Sequence, residues 1–182
     1  MSNSRAWLPH SSPVAERTLA QWICLALVAE EPAHGWAVVR TLASDGDIGR
    51  IWSLSRPLVY RALDELQADG AIVEAGTETG GGPARRILKA TPASRSAVRR
   101  WLKQPVEHMR DVRTELLCKV RLCERAGIDP TPLVKAQLDA FGPMFDALAR
   151  RARKRDADAV DRWRAASSVS VRRFLETELR RH

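Results

Sequence analysis

Apolar residues recur at helical spacing along most of this chain. Over residues 16–30 they follow the i, i+3, i+4, i+7 repeat of an amphipathic helix, and Glu31-Pro32 ends it. The His34-Gly35 pair predicts a turn, and a short second helix follows through Leu42. The buried side of that second helix is expected to hold Trp36, Val39 and either Leu42 or Ala43. Two helices joined by a tight turn are therefore the first predicted elements.

A third helix is predicted from Ser55 to Asp69. Ser55 is a favourable N-cap, because its side-chain oxygen can accept from first-turn N–H groups, and Gly70 suits the left-handed conformation that ends many helices. Its apolar side comprises Val59, Ala62, Leu63 and Leu66. The other side presents Arg56, Tyr60 and Arg61. Two cations and a phenol at a helix N-terminus, where the helix dipole also favours anions, make a surface suited to a polyanion.

A β-hairpin is predicted after this helix. The apolar pairs Ile72-Val73 and Ile87-Leu88 flank the segment Gly80-Gly81-Gly82-Pro83, which favours a hairpin tip. Arg85 and Arg86 follow that tip directly. Helix, turn, helix, capped helix and basic hairpin is the order of a winged helix-turn-helix. In that arrangement the third helix enters the DNA major groove and the hairpin, or wing, reaches phosphates or the minor groove.

The chain after the wing is helical in pattern to its end. Thr91-Pro92 begins a helix that carries Trp101, and Gln104-Pro105 ends it. One further helix is expected from 110 to 126, a second from 129 onward and a last one from 157 to 179. We therefore expect a flexible arm over 1–15, a winged helix-turn-helix over 16–104 and a helical domain over 105–182. The expected fold is mainly α with a small β-hairpin.

The apolar stripes of the second half have two possible explanations. In the helix after residue 129, five apolar residues have coiled-coil spacing, and Gly142-Pro143 should kink or break it. The stripes could fold back on the winged helix and make one globule, or they could pair with a second chain. We prefer pairing, because the stripes exceed what a small winged domain can cover. The expected dimer contacts are Val134, Leu138, Phe141, Phe145, Phe174 and Leu175. A homodimer would read a pseudo-palindromic operator with two recognition helices.

Composition narrows the class of partner. The formal charge of +8 favours an anionic partner, although the cluster from Arg150 to Arg155 is either a second phosphate contact or a solvated helix end. No apolar run is long enough for a membrane span, and no signal peptide is evident, so we expect a cytoplasmic protein. The three cysteines and four histidines have neither disulfide-framework nor metal-ligand spacing. We find no catalytic motif and expect no enzyme, metal or cofactor.

The chain resembles the PadR-type transcriptional regulators. The resemblance rests on His34-Gly35-Trp36, on W-S-L-S-R-P-L-V-Y-R-A-L-D-E-L-Q-A-D-G from Trp52, on G-G-P-A-R-R-I-L-K-A-T-P-A-S and on R-D-V-R-T-E-L-L-C-K. Tyr60 matches the tyrosine of the family's recognition helix, whereas Leu88 and Ser94 replace a common tyrosine and glycine. The resemblance implies a C-terminal dimerisation module, repression of promoters and small aromatic effectors.

An effector site is expected at Trp101. The chain holds six tryptophans, and Trp101 lies on the helix that joins the wing to the second half, where a bound aromatic ligand could alter the spacing of two recognition helices. Two other functions stay open. The chain could be a nonspecific architectural DNA-binding protein, or a winged helix that contacts only proteins.

Overall fold

The computed structural model describes residues 17–78 and 85–181. The helices and strands in chain order are α1 Leu19–Glu30, β1 Ala33–His34, α2 Gly35–Leu42, α3 Arg56–Ala68, β2 Ile72–Glu78, β3 Arg85–Ala90, α4 Pro92–Trp101, a 3-10 helix Met109–Arg113, α5 Glu115–Arg125, α6 Thr131–Ala152 and α7 Ala159–Leu179. The prediction of a mainly α fold with a small β-hairpin is confirmed. The predicted arm over 1–15 and the hairpin tip at residues 80–83 lie outside the described residues.

The sheet has three antiparallel strands in the order β1-β3-β2. Strands β2 and β3 are the predicted hairpin, with Ile72 opposite Ala90 and Glu78 opposite Arg85. The turn predicted at His34-Gly35 is wrong, because His34 belongs to β1 and pairs with β3. The Nδ1 atom of His34 also accepts a hydrogen bond from the backbone N–H of Ala37 at 3.0 Å, so this residue ends a strand and caps α2.

The first hydrophobic core surrounds α1. This helix begins at Leu19, three residues later than the apolar pattern predicts, because Thr18 and Gln21 form a capping box there. Its residues 23–28 are all buried, so α1 is enclosed by the other elements of the winged half rather than amphipathic. The predicted burial of Trp36 is wrong: its ring is exposed, and Val38 is buried in its place beside Val39 and Leu42.

The second core lies between the 3-10 helix, α5, α6 and α7. Helix α5 contributes to both cores, with Cys118, Leu122 and Cys123 in the first and Leu116 and Val120 in the second. The buried amide of Gln137 in α6 accepts from the Val106 backbone N–H at 2.7 Å and donates to its carbonyl at 3.1 Å. These bonds fix the chain where it leaves α4 and enters the second half.

Two helix predictions in the second half need correction. The helix expected over 110–126 is divided, because the backbone of Thr114 (φ −120°, ψ −82°) leaves the helical region between the 3-10 helix and α5. Conversely, Pro143 does not break α6, although proline removes one backbone hydrogen bond. Phe141 and Phe145 flank this proline, and both are buried. Their rings contact each other edge to face with centres 5.7 Å apart, and this packing offsets the lost hydrogen bond.

The apolar stripe expected to face a second chain is covered within this chain. Val134, Phe141, Phe145 and Leu175 are buried in the second core, and Leu138 and Phe174 pack against it as half-buried residues. The prediction that the stripe faces a second chain is therefore wrong for its four buried residues, which are Val134, Phe141, Phe145 and Leu175. The α6–α7 hairpin packs on itself and on α5 in the second core. The alternative left open by the sequence, in which the stripes fold back on the winged half to make one globule, is therefore not what the structure has.

Candidate nucleic-acid interface

Helix α3 has the predicted capping residues and buried face. Pro57 lies in its first turn, Val59, Ala62, Leu63 and Leu66 are buried, and Gly70 has the left-handed φ of 68° that ends it. Ser55 occupies the N-cap position, but its side chain makes no capping hydrogen bond. The expected cap bond is therefore absent, and the first-turn N–H groups are left for another acceptor.

Arg61 lies on the exposed side of α3 and is held in place. Its Nε atom pairs with Glu65 at 3.0 Å, and Glu65 in turn accepts a hydrogen bond from Gln21 of α1 at 2.9 Å. The Arg61 side chain remains 75% exposed despite this pair. The guanidinium is thus exposed and also held in position through Glu65 and Gln21. Such a group suits contact with base edges, because Arg can form two parallel hydrogen bonds with guanine.

Arg56 and Tyr60 face a different side, toward α2. The Arg56 guanidinium lies 5.7 Å from the Trp36 ring centre and 5.5 Å from that of Tyr60, so it contacts both aromatic rings. Tyr60 is half-buried and packs against Gly35, where an added Cβ would approach its Cε1 atom to 2.8 Å. Tyr60 thus joins α3 to α2 as well as offering its edge to a ligand. Trp36, which the sequence assigned to the core, belongs to this surface.

Arg85 and Arg86 are the first two residues of β3, the central strand, and lie beyond its pairing with β1. They lie opposite Glu78 and Thr77, and both side chains are exposed. A cleft of about 390 Å³ separates the sheet from α3 and is lined by both arginines together with Arg56, Tyr60 and Trp36. Within the described part of the chain, none of the three arginines has a carboxylate partner. The cleft is thus a cationic surface that can accept an anion.

The loop between α2 and α3 is anchored by helix α5. Asp47 accepts hydrogen bonds from Arg121 at 2.8 Å and from Arg125 at 2.9 Å, and Arg125 also pairs with Glu30 of α1 at 2.8 Å. These bonds, that from Arg121 above all, hold the pKa of the Asp47 carboxyl below its ordinary value. The start of α3 is therefore tied to the second half of the chain.

Trp101, the expected effector residue, is enclosed. Its ring stacks on Trp22 with centres 5.3 Å apart, its Nε1 donates to Glu115 at 3.2 Å, and the Lys119 ammonium lies 4.9 Å from its ring centre. Lys119 is itself buried and bonded to Glu115 at 2.7 Å and to the Gln104 carbonyl at 2.9 Å. Desolvation lowers the pKa of Lys119, against the raising effect of Glu115. A ligand can stack on Trp101 only by displacing one of these neighbours.

The remaining candidate residues show no chemistry of their own. Cys24, Cys118 and Cys123 are buried thiols, and burial raises the pKa of Cys24 to about 12, which disfavours the reactive thiolate. Among the described residues, no group of three His, Cys, Asp or Glu side chains could hold a metal ion.

The basic run at 150–155 lies at the end of α6 and in the turn after it, where Arg151 pairs with Asp156 and Asp161.

Residues 24–100 match the family model of the transcriptional regulator PadR-like family. The resemblance to PadR-type regulators predicted from the sequence is confirmed over this segment. The match runs from the middle of α1 to the next-to-last residue of α4, and this segment carries α3 and the wing. PadR-like proteins are transcriptional regulators, which agrees with the function expected from the sequence. No curated protein sequence matches the chain.

Three solved structures are similar to the chain at low identity. Bacillus subtilis PadR in complex with operator DNA has 14% identity and a TM-score of 0.47, covering 89% of this chain and 94% of that one. The smu.1604c protein of Streptococcus mutans UA159 has 15% identity and a TM-score of 0.42, covering 87% and 97%. A second Bacillus subtilis PadR structure has 15% identity and a TM-score of 0.41, covering 88% and 93%.

No helix within residues 17–78 and 85–181 combines the length and the apolar character needed to cross a membrane.

Proposed function

We propose that this PadR-like protein is a homodimeric, sequence-specific DNA-binding regulator that represses transcription by occluding promoter DNA. The observation that carries the proposal is the surface formed by α3 and the wing. Arg61 projects from an exposed helix face, and Arg56, Arg85 and Arg86 line a cleft and have no carboxylate partner among residues 17–78 and 85–181. We assign base readout to α3, with Ser55 and Tyr60 beside Arg56 and Arg61, and backbone contact to Arg85 and Arg86. The DNA-binding domain is taken as 16–104.

Arg61 and the wing arginines should have separable effects on DNA binding. Arg61→Ala should weaken binding to a selected operator by about 1–3 kcal/mol, which is roughly fivefold to 160-fold, and leave binding to random DNA nearly unchanged. Replacing Arg85 and Arg86 by alanine should weaken both duplexes alike. The double variant should also flatten the plot of log affinity against log salt by about one unit for each lost phosphate contact. Fluorescence anisotropy across a salt series measures both effects.

Arg110→Ala is the matched control for this experiment. Arg110 is 77% exposed and paired with a neighbouring carboxylate, as Arg61 is, but it lies in the second half of the chain. An Arg61 variant that behaves like the Arg110 variant would contradict the assignment of α3. Equal wild-type affinity for random and selected DNA would favour an architectural protein, and absence of salt-dependent DNA binding would favour a protein-interaction module.

Dimerisation through the domain 105–182 is the second part of the proposal. Since the predicted stripe on α6 is internal, we assign the contact to an outer stripe on α7, defined as Val160, Trp163, Ser167, Ser170 and Phe174. These residues step by 3, 4, 3 and 4, which is the spacing of a coiled-coil seam. Val160 and Trp163 are exposed large apolar side chains, and Phe174 is half-buried. An exposed apolar seam of this kind is typical of a helix that packs on another helix.

Release from DNA by a small aromatic effector is the third part. We propose that a planar ligand takes the place of Trp22 against Trp101, in the chamber of about 640 Å³ beside Lys119 and Glu115. Such a ligand releases DNA only if it binds the DNA-incompetent spacing of the dimer more tightly than the competent one. Titration with phenolic and planar cationic compounds should quench tryptophan fluorescence and release operator DNA in wild type, with a weaker response in Trp101→Phe. Equal quenching in that variant would put the ligand elsewhere, and no quenching by any compound would leave a constitutive repressor.

A further inference from the structure

Leu58 is an exposed leucine in the first turn of the proposed recognition helix. Its side chain is 49% exposed, whereas Leu63 and Leu66, the other leucines of α3, are buried in the first core. Exposure of a leucine on a helix surface is common in itself. Its position here is specific, because it follows Arg56 and Pro57 at the helix end that points to the proposed DNA contact.

Leu58 shares one side of α3 with Arg61 and Glu65. The three residues are spaced i, i+3 and i+7, which places them in line along a helix. The ion pair between Arg61 and Glu65 and the hydrogen bond from Gln21 to Glu65 hold the guanidinium on this side of α3, and Leu58 precedes Arg61 by one helical turn. The face therefore combines one apolar contact with one bidentate donor at neighbouring positions.

The largest apolar group on the base edges of the major groove is the 5-methyl of thymine. Cytosine presents only a C5–H at that position, and the remaining groups are hydrogen-bond donors or acceptors with which a leucine cannot pair. If Arg61 meets guanine O6 and N7, a leucine one turn away on the same face lies against the edge of an adjacent base pair. Apolar contact with a thymine methyl is then the interaction that its chemistry allows.

We propose that Leu58 contacts a thymine 5-methyl group in the major groove, next to the base pair that Arg61 reads. This inference rests on the proposed DNA-binding function. It makes Leu58 a specificity-determining residue, which selects thymine at one position of each half-site by burying a methyl group. Burial of one methyl is worth about fourfold in affinity, and two half-sites together about fifteenfold.

The test replaces thymine by uracil, which removes only the methyl group. Two random duplex libraries, one with thymine and one with uracil, are each selected with the full-length wild type and with Leu58→Ala. Wild type should enrich a thymine position in each half-site of the first library, and that preference should be absent with the uracil library and with the variant. On the selected duplex, uracil at both positions should weaken wild type about fifteenfold and the Leu58 variant less than twofold.

Val73→Ala is the control variant. Val73 is 44% exposed on β2, so its replacement removes exposed apolar surface away from α3, two carbons against three for Leu58→Ala, and its uracil response should equal that of wild type. A selected consensus without a methyl-sensitive position would overturn the inference alone. So would a Leu58 variant with full methyl sensitivity and intact helical circular dichroism. If wild type enriches no sequence, the proposed sequence-specific function and this inference fail together.

Discussion

Gly49→Ala should destabilise the protein by about 3 kcal/mol or more and abolish operator binding at ordinary temperature. Gly49 lies in the loop that leads into α3, where its N–H donates to the Thr41 carbonyl at 3.0 Å. A Cβ there would overlap the carbonyl oxygen of Ala43 and lie 2.7 Å from the carbonyl carbon of Leu42. Both atoms are backbone at the end of α2, so no side chain can move aside to relieve the overlap. Urea unfolding followed by circular dichroism measures the loss.

Gly142→Ala is the matched control for Gly49→Ala. A Cβ on Gly142 meets nothing within 4 Å, and the residue lies inside α6, where alanine is favoured over glycine by about 0.5–1 kcal/mol. The same substitution should therefore be neutral or stabilising there. Gly49→Ala with wild-type stability would show that the α2–α3 loop can rearrange, and that this loop does not fix the position of α3.

The winged half could be predicted because its signals are local. Ser55 and Pro57 indicate where α3 begins, and Gly70 indicates where it ends. The spacing of its apolar residues predicts which face is buried. The hairpin strands follow equally from two apolar pairs that flank glycines. Strand β1 was not predicted, because a two-residue strand is too short to show any alternation of apolar and polar residues.

Contacts between distant parts of the chain left no such signal. The hydrogen bond from Arg121 to Asp47 joins residues that are 74 positions apart. The sequence around either residue contains no motif that indicates this pairing. Trp36 and Trp101 show the same limit for aromatic residues, since one is exposed beside Arg56 and the other is enclosed by Trp22 and Lys119. Hydrophobicity alone could not distinguish a surface ring from a buried one.

The apolar stripe of α6 shows what periodicity can and cannot establish. Its spacing correctly identifies which side of the helix is covered, because Val134, Phe141 and Phe145 are all buried. Periodicity does not show whether the helix that packs on this side belongs to the same chain or to a second one, since knobs-into-holes packing has the same geometry in both cases. In this chain α7 supplies the cover. For the proposed dimer we therefore expect a contact on the side of α7 that the hairpin leaves exposed.

The proposed dimer depends most on Trp163. This side chain is 67% exposed at the second position of the outer stripe, and large aromatic residues contribute the most to helical interfaces. Trp163→Asp removes that contact and would place a carboxylate in an apolar seam, so the dimer should dissociate at least about a hundredfold more readily. Operator affinity should fall with it, because a monomer holds one recognition helix and can occupy only one half-site.

Val169→Asp separates an effect on the seam from an effect of charge on α7. Val169 is 64% exposed but lies nine residues beyond Val160, on the opposite side of the helix, so its replacement should leave the dimer intact. Sedimentation velocity at micromolar concentration should give a dimer for wild type and Val169→Asp and a monomer for Trp163→Asp, with unchanged helix content in all three. A wild-type monomer would refute dimerisation. A dimer that survives Trp163→Asp but dissociates on Val169→Asp would move the interface to the other side of α7, away from the Val160–Phe174 seam.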